Sequence, residues 1–136
     1  MTAIQVRSEA EAPTVPDAPE SVILAKVHQA LAATGRVVLW RNQTGALPAV
    51  GRGGRTYPVR FGLGVGGADL VGLLRPSGRF IALEVKTQRG KQTPEQRAWA
   101  QAVEGAGGFY RVVRSQEEAL EALDAAARPT DPIDSL

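Results

Sequence analysis

The sequence contains no cysteine and a single histidine, His28. The absence of cysteine excludes disulfide bonds, structural zinc sites of the usual type and thiol catalysis. His28 is one imidazole on a predicted helix, and we interpret it as a surface or core residue. Chemistry in this chain must therefore be sought among other side chains.

Long apolar runs and a secretion signal are also lacking. The N-terminal stretch MTAIQVRSEAEAPTVPDAP has no basic start followed by an apolar segment. No part of the chain approaches the ~18 apolar residues of a membrane span, so we expect a cytoplasmic protein. The length of 136 residues predicts one domain, residues 17–128, between flexible tails at residues 1–16 and 129–136.

Acidic side chains are scarce in the middle of the chain. From Arg36 to Arg97 the sequence has eleven Lys or Arg residues against three acidic residues, Asp69, Glu84 and Glu95. The other acidic residues gather towards the two ends of the chain. A basic middle of this kind indicates a polyanionic partner such as nucleic acid.

The segment from Gly66 to Lys86, GGADLVGLLRPSGRFIALEVK, has the pattern of a β-hairpin. Two apolar runs flank a turn that contains proline and glycine. If Leu74 pairs with Arg79 across that turn, the same register places Asp69 opposite Glu84. The hairpin therefore predicts two neighbouring carboxylates at one end of a sheet.

A divalent metal ion would explain this pair of carboxylates. Asp69 and Glu84 would raise each other's pKa unless a cation lies between them, and Mg²⁺ suits such oxygen ligands. Side chains alternate along a strand, so Lys86 lies on the same face as Glu84 and would orient a water in phosphodiester hydrolysis. The alternative is a strand that ends in a solvated Glu–Lys pair, with an unrelated aspartate nearby.

Four motifs carry a family resemblance. Asp69, a hairpin and then Glu84-Val85-Lys86 resemble the PD-(D/E)XK nuclease motif, with Ala68 in place of the usual proline. The chain is most similar to one branch, the virus-type replication-repair nuclease (VRR-NUC) domains, and the similarity extends from about Glu20 to Leu123. The further matching motifs are RNQTG at residues 41–45, the glycine-rich run at residues 62–67 and TPEQ at residues 93–96.

The resemblance implies an α/β fold with a restriction-endonuclease-like core in the order α-β-β-β-α-β, a mixed sheet flanked by helices. It also implies a DNA endonuclease that depends on Mg²⁺, with Mn²⁺ able to substitute, and that leaves a 5′-phosphate and a 3′-hydroxyl. Asp69, Glu84 and the Val85 carbonyl would hold one or two metal ions, and Lys86 would orient the attacking water.

Two residues at predicted helix starts each have two interpretations. Glu20 completes a capping box with Asp17 as N-cap, or, as the resemblance implies, it is a further metal ligand. Gln96 completes a capping box with Thr93, or it supports Lys86 or a water in the active site. The sequence leaves both choices open.

A long glycine-rich loop is predicted at residues 45–67, with a possible short strand at residues 57–61. Its three arginines have no acidic neighbours and suit a phosphate backbone, although a merely solvated loop is the alternative. A basic turn at residues 87–92 would grip phosphates near the scissile bond. The predicted DNA contacts are Arg41, Asn42, Arg52, Arg55, Arg60, Arg89 and Lys91.

The run Gly62–Gly67 satisfies the G-x-G-x-x-G pattern of dinucleotide-binding proteins. Such a fingerprint must follow a strand and open a helix, whereas this run leads into a strand, so we reject that function. We expect these glycines to let DNA or the metal approach the backbone closely.

The substrate and the partners follow from resemblance alone. Stand-alone domains of this kind resemble Holliday-junction resolvases, which implies branched DNA, a homodimer and a phage or prophage origin. One alternative is a catalytically idle nucleic-acid-binding module on the same fold. Another is an interaction protein whose basic middle meets an acidic partner. A nuclease specialised for nicking or for RNA would have the same sequence features.

Overall fold

The computed structural model describes residues 18–129 of the chain. The predicted tails, apart from Pro129, lie outside these residues. No helix in the described part has the length and apolar content of a membrane span. The elements are α1 (Glu20–Ala33), β1 (Val37–Arg41), β2 (Gly45–Val50), a short 3-10 turn (Arg52–Gly54), β3 (Thr56–Phe61), β4 (Leu70–Leu74), β5 (Phe80–Val85), α2 (Pro94–Gly105), β6 (Phe109–Val113) and α3 (Gln116–Ala127).

Four strands form the central sheet in the order β1-β4-β5-β6. Strands β1 and β5 both run antiparallel to β4, and β6 runs parallel to β5. Parallel pairing requires a crossover connection, which α2 supplies. With β2 and β3 set aside as a separate two-stranded sheet, the order is α-β-β-β-α-β followed by a last helix. The predicted α/β fold with a mixed sheet is confirmed.

Helices cover both faces of the sheet, and the alternation of side chains along each strand determines which residues are buried on each face. Helices α1 and α3 pack over one face, where Ile81 and Leu83 are fully buried. Helix α2 packs through Ala100 over a smaller cluster on the other face, which includes Ala82 and Tyr110. Strand β5 is buried on both sides, and this explains its nearly continuous apolar sequence.

The β4–β5 hairpin has the predicted register. The backbone N–H of Leu74 donates to the carbonyl of Arg79 at 2.9 Å, and the pairing continues without a bulge to the start of β4. Asp69 immediately precedes β4. In the same register it therefore stands opposite Glu84.

The region predicted as a long loop is mostly a second hairpin. Strands β2 and β3 pair antiparallel along their whole length. Only β3 has a recognisable strand pattern, because its sequence TYPVRF is rich in β-branched and aromatic residues. Strand β2 begins with Gly45, and each strand contains one proline. Both strands lie at the edge of their own small sheet, where proline is tolerated.

Helix α1 begins later than predicted. Its N-cap is Pro19, with φ −55° and ψ 148°, and no side chain caps it. The residue before a proline disfavours the helical conformation, so the helix does not extend back through Ala18. The predicted capping box is therefore wrong: Glu20 is the first helical residue, and Asp17 lies outside the described residues.

Candidate metal centre

Three carboxylates meet at the end of the sheet where β4 begins and β5 ends. Asp69 precedes β4, Glu84 lies in β5 and Glu20 opens α1. One oxygen from each carboxylate lies within 4.8 Å of the other two. Helix α1 and the β4–β5 hairpin, which are distant in sequence, thus bring together the three acidic residues predicted as ligands.

Glu84 is the most constrained of the three. Its side chain is buried, with only 2% of the residue exposed. The amide Nε2 of Gln96 donates to Oε1 at 3.2 Å, and the Nζ of Lys86 lies 3.8 Å from the same oxygen. The other oxygen, Oε2, is buried and has no hydrogen-bond partner. A buried carboxylate oxygen without a partner is costly unless a cation binds it.

The environment of Glu84 changes its acidity. Burial raises the pKa of the Glu84 carboxyl from 4.5 to about 8, and the charge of Asp69 and the hydrogen bond that a protonated Glu84 makes to Asp69 act in the same direction. The ammonium of Lys86 opposes this only in part. The raised pKa therefore favours a proton on Glu84 in the metal-free protein. A divalent cation would displace that proton, so metal binding here is coupled to pH. Three carboxylates and one unpaired buried oxygen fit a hard divalent ion.

The backbone holds Asp69 in place. Its Oδ2 accepts the N–H of Val85 at 2.8 Å, and its carbonyl accepts the N–H of Asn42 at 2.8 Å. Asp69 thereby connects the ends of β1 and β5 to the start of β4. The same contact brings Val85, which is predicted to supply its carbonyl, next to the carboxylates.

Gln96 connects helix α2 to the carboxylates. Its Oε1 accepts the N–H of Thr93 at 2.9 Å, and its own N–H donates to the Thr93 hydroxyl at 3.1 Å. This confirms the predicted capping box at the start of α2. The remaining amide nitrogen donates to Glu84. One side chain thus fixes the helix start and contacts the buried carboxylate.

Two glycines near the centre let segments of the protein backbone pack closely against each other. A Cβ at Gly66, where φ is +87°, would lie 2.4 Å from the carbonyl oxygen of Glu95 in the first turn of α2. A Cβ at Gly62 would meet the backbone of Gln43. At these positions the expectation of an approach by DNA or metal is wrong. The glycines instead let the run after β3 pack against α2 and against the end of β1.

Asn42 ties the same run to the sheet. Its Nδ2 donates to the carbonyl of Ala68 at 3.0 Å, and its Oδ1 accepts the N–H of Leu63 at 3.1 Å. The indole N–H of Trp99 donates to the carbonyl of Leu63 at 3.2 Å. Asn42, predicted to contact DNA, therefore also has a structural role immediately before Asp69.

The predicted basic DNA contacts are all exposed. They lie at the end of β1, on the β2–β3 hairpin and in the turn after β5. Within residues 18–129 the ion pairs are Arg36–Asp124 and Lys86–Glu84, so no acid neutralises these side chains. The residues concerned are Arg41, Arg52, Arg55, Arg60, Arg89 and Lys91.

Tyr110 belongs to the surroundings of the centre and was not predicted. Its hydroxyl accepts a hydrogen bond from Nε2 of Gln92 at 3.1 Å, and burial raises its pKa to about 12. The charge of Glu84 acts in the same direction. Tyr110 pairs with Ala82 across the parallel strands, so it shares a sheet face with Glu84. The sequence could have indicated this only after the partner of β5 was known.

A protein-family model matches most of the chain. The model of the VRR-NUC domain family matches residues 18–117, which include all three carboxylates, Lys86 and Gln96. No curated protein matches the chain.

Proposed function

The chain belongs to the VRR-NUC domain family, a family of DNA nucleases, and we propose that it is a metal-dependent endonuclease that cuts branched DNA. The observation that carries this proposal is the buried Glu84, which has an unpaired Oε2 and whose carboxylate groups with those of Asp69 and Glu20 within 4.8 Å. A chain that only bound nucleic acid would gain nothing from burying an acid there.

Asp69, Glu84 and Glu20 would hold the ion, with the Val85 carbonyl as a further ligand. Mg²⁺ is the proposed ion, with Mn²⁺ as a substitute, because all of these donors are oxygen atoms. When bound, the ion supplies Lewis acidity and neutralises charge on the phosphate. The geometry supporting this set is the 4.8 Å grouping of the three carboxylates.

Lys86 and Gln96 would prepare the reaction without holding the ion. The Lys86 ammonium, beside the buried carboxylate, would orient the attacking water for an in-line displacement. Gln96 would keep Glu84 in one orientation through its hydrogen bond to Oε1. Both contacts involve Oε1, so the unpaired Oε2 is left for the ion.

DNA would be held through its phosphates. The hairpin arginines Arg52, Arg55 and Arg60 and the turn residues Arg89 and Lys91 are exposed and have no acidic partner in the described residues. Arg41 and Asn42 would add contacts near the end of β1. Recognition of this type reads the shape and the charge of DNA rather than its bases.

A second copy of the chain would pair with the first through the β2–β3 hairpin. One face of the β2–β3 hairpin is apolar, with Leu47 and Tyr57 63% and 51% exposed. An isolated two-stranded hairpin is only marginally stable, so this face favours a partner. An apolar face without charges can meet its own copy about a two-fold axis. Arg60 pairs with Ala46, and Ala46 and Leu47 are neighbours in β2 that point to opposite faces. Arg60 therefore lies on the face opposite to Leu47.

The test is cleavage of a labelled four-way junction and of a matched linear duplex, in Mg²⁺, Mn²⁺ or EDTA. We expect metal-dependent cutting of the junction that falls to a small residual rate in Lys86→Ala and is kept in the matched control Lys26→Ala. Equal cutting of both DNAs would remove the branch selectivity from the proposal. Tight binding with no cutting in either metal would favour the alternative, an idle nucleic-acid-binding module.

A further inference from the structure

The side chain of Lys86 is unusually well covered for a lysine. Only 12% of it is exposed, although lysine is seldom buried unless it is paired. Part of the cover comes from Gly90, four residues later. A Cβ at Gly90 would lie 3.2 Å from Cδ and 3.4 Å from Cβ of Lys86. The backbone of Gly90 thus lies directly against the aliphatic stem of the lysine.

Gly90 is part of a closed turn. The N–H of Gly90 donates to the carbonyl of Thr87 at 3.1 Å, which folds the segment after β5 back towards Lys86. Nη1 of Arg114 donates to the same Thr87 carbonyl and to the carbonyl of Gly90 at 2.7 Å. One guanidinium nitrogen therefore bonds both ends of the turn.

The sheet positions Arg114 for this contact. The N–H of Lys86 donates to the carbonyl of Val113 at 3.0 Å, so the chain segments after β5 and β6 leave the sheet side by side. The N–H of Arg114 donates to Glu118 in the first turn of α3 at 3.1 Å. Arg114 is thereby held between the sheet and a helix, and its guanidinium reaches carbonyls rather than an acid.

We propose that Arg114 and Gly90 are positioning residues for Lys86: Arg114 keeps the turn at residues 87–90 closed, and Gly90 confines the stem of the lysine. A flexible four-carbon side chain would otherwise sample several rotamers. Confinement keeps the ammonium beside Glu84. This inference rests on the proposed function for its catalytic consequence, but the confinement of Lys86 is a property of the chain itself.

The first test is Gly90→Ala, because the added methyl group would push directly on Cδ of Lys86. Gly90 does not have a positive φ, so alanine introduces no backbone strain there. We expect kcat to fall by about 10-fold or more, because the reacting geometry changes. A rise in KM would report the effect on the neighbouring proposed DNA contacts Arg89 and Lys91, so kcat is the quantity that tests the proposal. The matched control is Gly105→Ala, where a Cβ meets nothing within 4 Å.

The second test removes the guanidinium. Arg114→Met opens the turn and should lower kcat like Gly90→Ala, whereas Arg114→Lys, which keeps one donor group, should restore part of it. Arg75→Met is the matched control, since Arg75 is an exposed arginine after β4. In a Lys86→Ala background neither Gly90→Ala nor Arg114→Met should lower kcat further, because their effect passes through the lysine. An additive loss in that background would overturn the proposal.

The third measurement does not depend on activity. The sequence has three lysines, Lys26, Lys86 and Lys91, so ¹³C-labelled lysine gives few ε-methylene signals and Lys86→Arg assigns the one of interest. In EDTA, Gly90→Ala and Arg114→Met should each shift that signal and narrow it, while Gly105→Ala should not. An unchanged Lys86 signal in both folded variants would overturn the proposal. If the signal shifts as expected but the wild type cuts no DNA, the proposed function fails and the confinement of Lys86 stands.

Discussion

Glu84 has a pKa of about 8 because it is buried beside another carboxylate, and this shift links folding to pH. The unfolded chain releases the Glu84 proton near its ordinary pKa of 4.5, whereas the folded chain keeps it to about pH 8. Between these values the folded state binds more protons. The stabilisation from Glu84 is therefore complete below about pH 4.5 and is lost as the pH rises towards 8 and above.

We predict that the metal-free protein becomes less stable across this window because of Glu84. In EDTA, the Tm of the wild type should fall between pH 6 and pH 9 by about 5 °C more than the Tm of Glu84→Gln. Thermal unfolding followed by circular dichroism measures the difference. Glu121→Gln, which changes an exposed acid, should keep the wild-type dependence. Parallel pH dependences for wild type and Glu84→Gln would contradict the shifted pKa.

Saturation with Mg²⁺ should offset the fall in Tm that the metal-free protein shows as the pH rises. A cation that replaces the Glu84 proton binds more tightly as the pH rises, because binding releases that proton. We predict that the gain in Tm on adding Mg²⁺ is larger at pH 8 than at pH 6. Asp69→Asn should lose most of that gain. A gain that is independent of pH would indicate that the ion binds away from Glu84.

The residues of the centre differ in how far the sequence could predict them. Asp69 and Glu84 follow from hairpin register alone, because both belong to one short segment with a turn in its middle. Glu20 could be assigned only by family resemblance, since local pattern favoured a cap. Arg114 gave no local signal, because its contact with the turn after β5 requires β5 and β6 to be neighbours.

At the scale of an element, the first turn of α2 combines two tasks that mutations can separate. Thr93→Ala removes the hydroxyl that accepts from Gln96 but leaves the amide contact to Glu84. We predict a loss of about 1 kcal/mol in the free energy of unfolding, with cleavage at the wild-type rate. Gln96→Ala should lose similar stability and lower the cleavage rate or the metal affinity by about 10- to 100-fold.

Denaturant unfolding and cleavage kinetics on the two α2 variants give the comparison directly. If Thr93→Ala slows cleavage as much as Gln96→Ala does, cleavage depends on an intact start of α2 and not specifically on the contact between Gln96 and Glu84. If Gln96→Ala cuts at the wild-type rate, the contact with Glu84 has no part in catalysis.

The elements were predictable to the extent that their own residues specify them. Thr93-Pro94-Glu95-Gln96 defines the start of α2, because the cap, the proline and the glutamine all lie within one turn. Strand β2 was missed because it begins with glycine, has fewer β-branched and aromatic residues than β3 and obtains its order from pairing with β3. The start of α1 was misplaced because Pro19 outweighed the acidic cap pattern before it.

At the scale of the whole molecule, the basic side chains on the β2–β3 hairpin should act together on DNA. We predict that the triple variant Arg52→Ala, Arg55→Ala, Arg60→Ala weakens binding to junction and duplex alike. The dependence of log K on log salt should become shallower by about 0.9 for each phosphate that the variant no longer neutralises. Fluorescence anisotropy across a salt series measures this slope. Arg75→Ala, at the far end of β4, should leave it unchanged, and an unchanged slope in the triple variant would exclude the hairpin from the DNA interface.

The apolar face of the same hairpin is the proposed dimer interface. Leu47→Lys places a charge in the middle of that face, opposite Val59, and a two-fold interface would bury it twice. We predict that the dissociation constant of the dimer rises by at least about 10-fold, because an unpaired charge is costly to bury. Ala46→Lys carries the same charge on the opposite face and should remain dimeric.

Sedimentation equilibrium gives the mass of each variant, and a junction labelled on two strands reports whether both are cut in one binding event. Leu47→Lys should lose the coordinated second cut yet still cleave single strands, because its carboxylates, Lys86 and Gln96 lie on other elements of the same chain. A wild-type chain that is monomeric at the concentrations used for cleavage would contradict the two-fold arrangement.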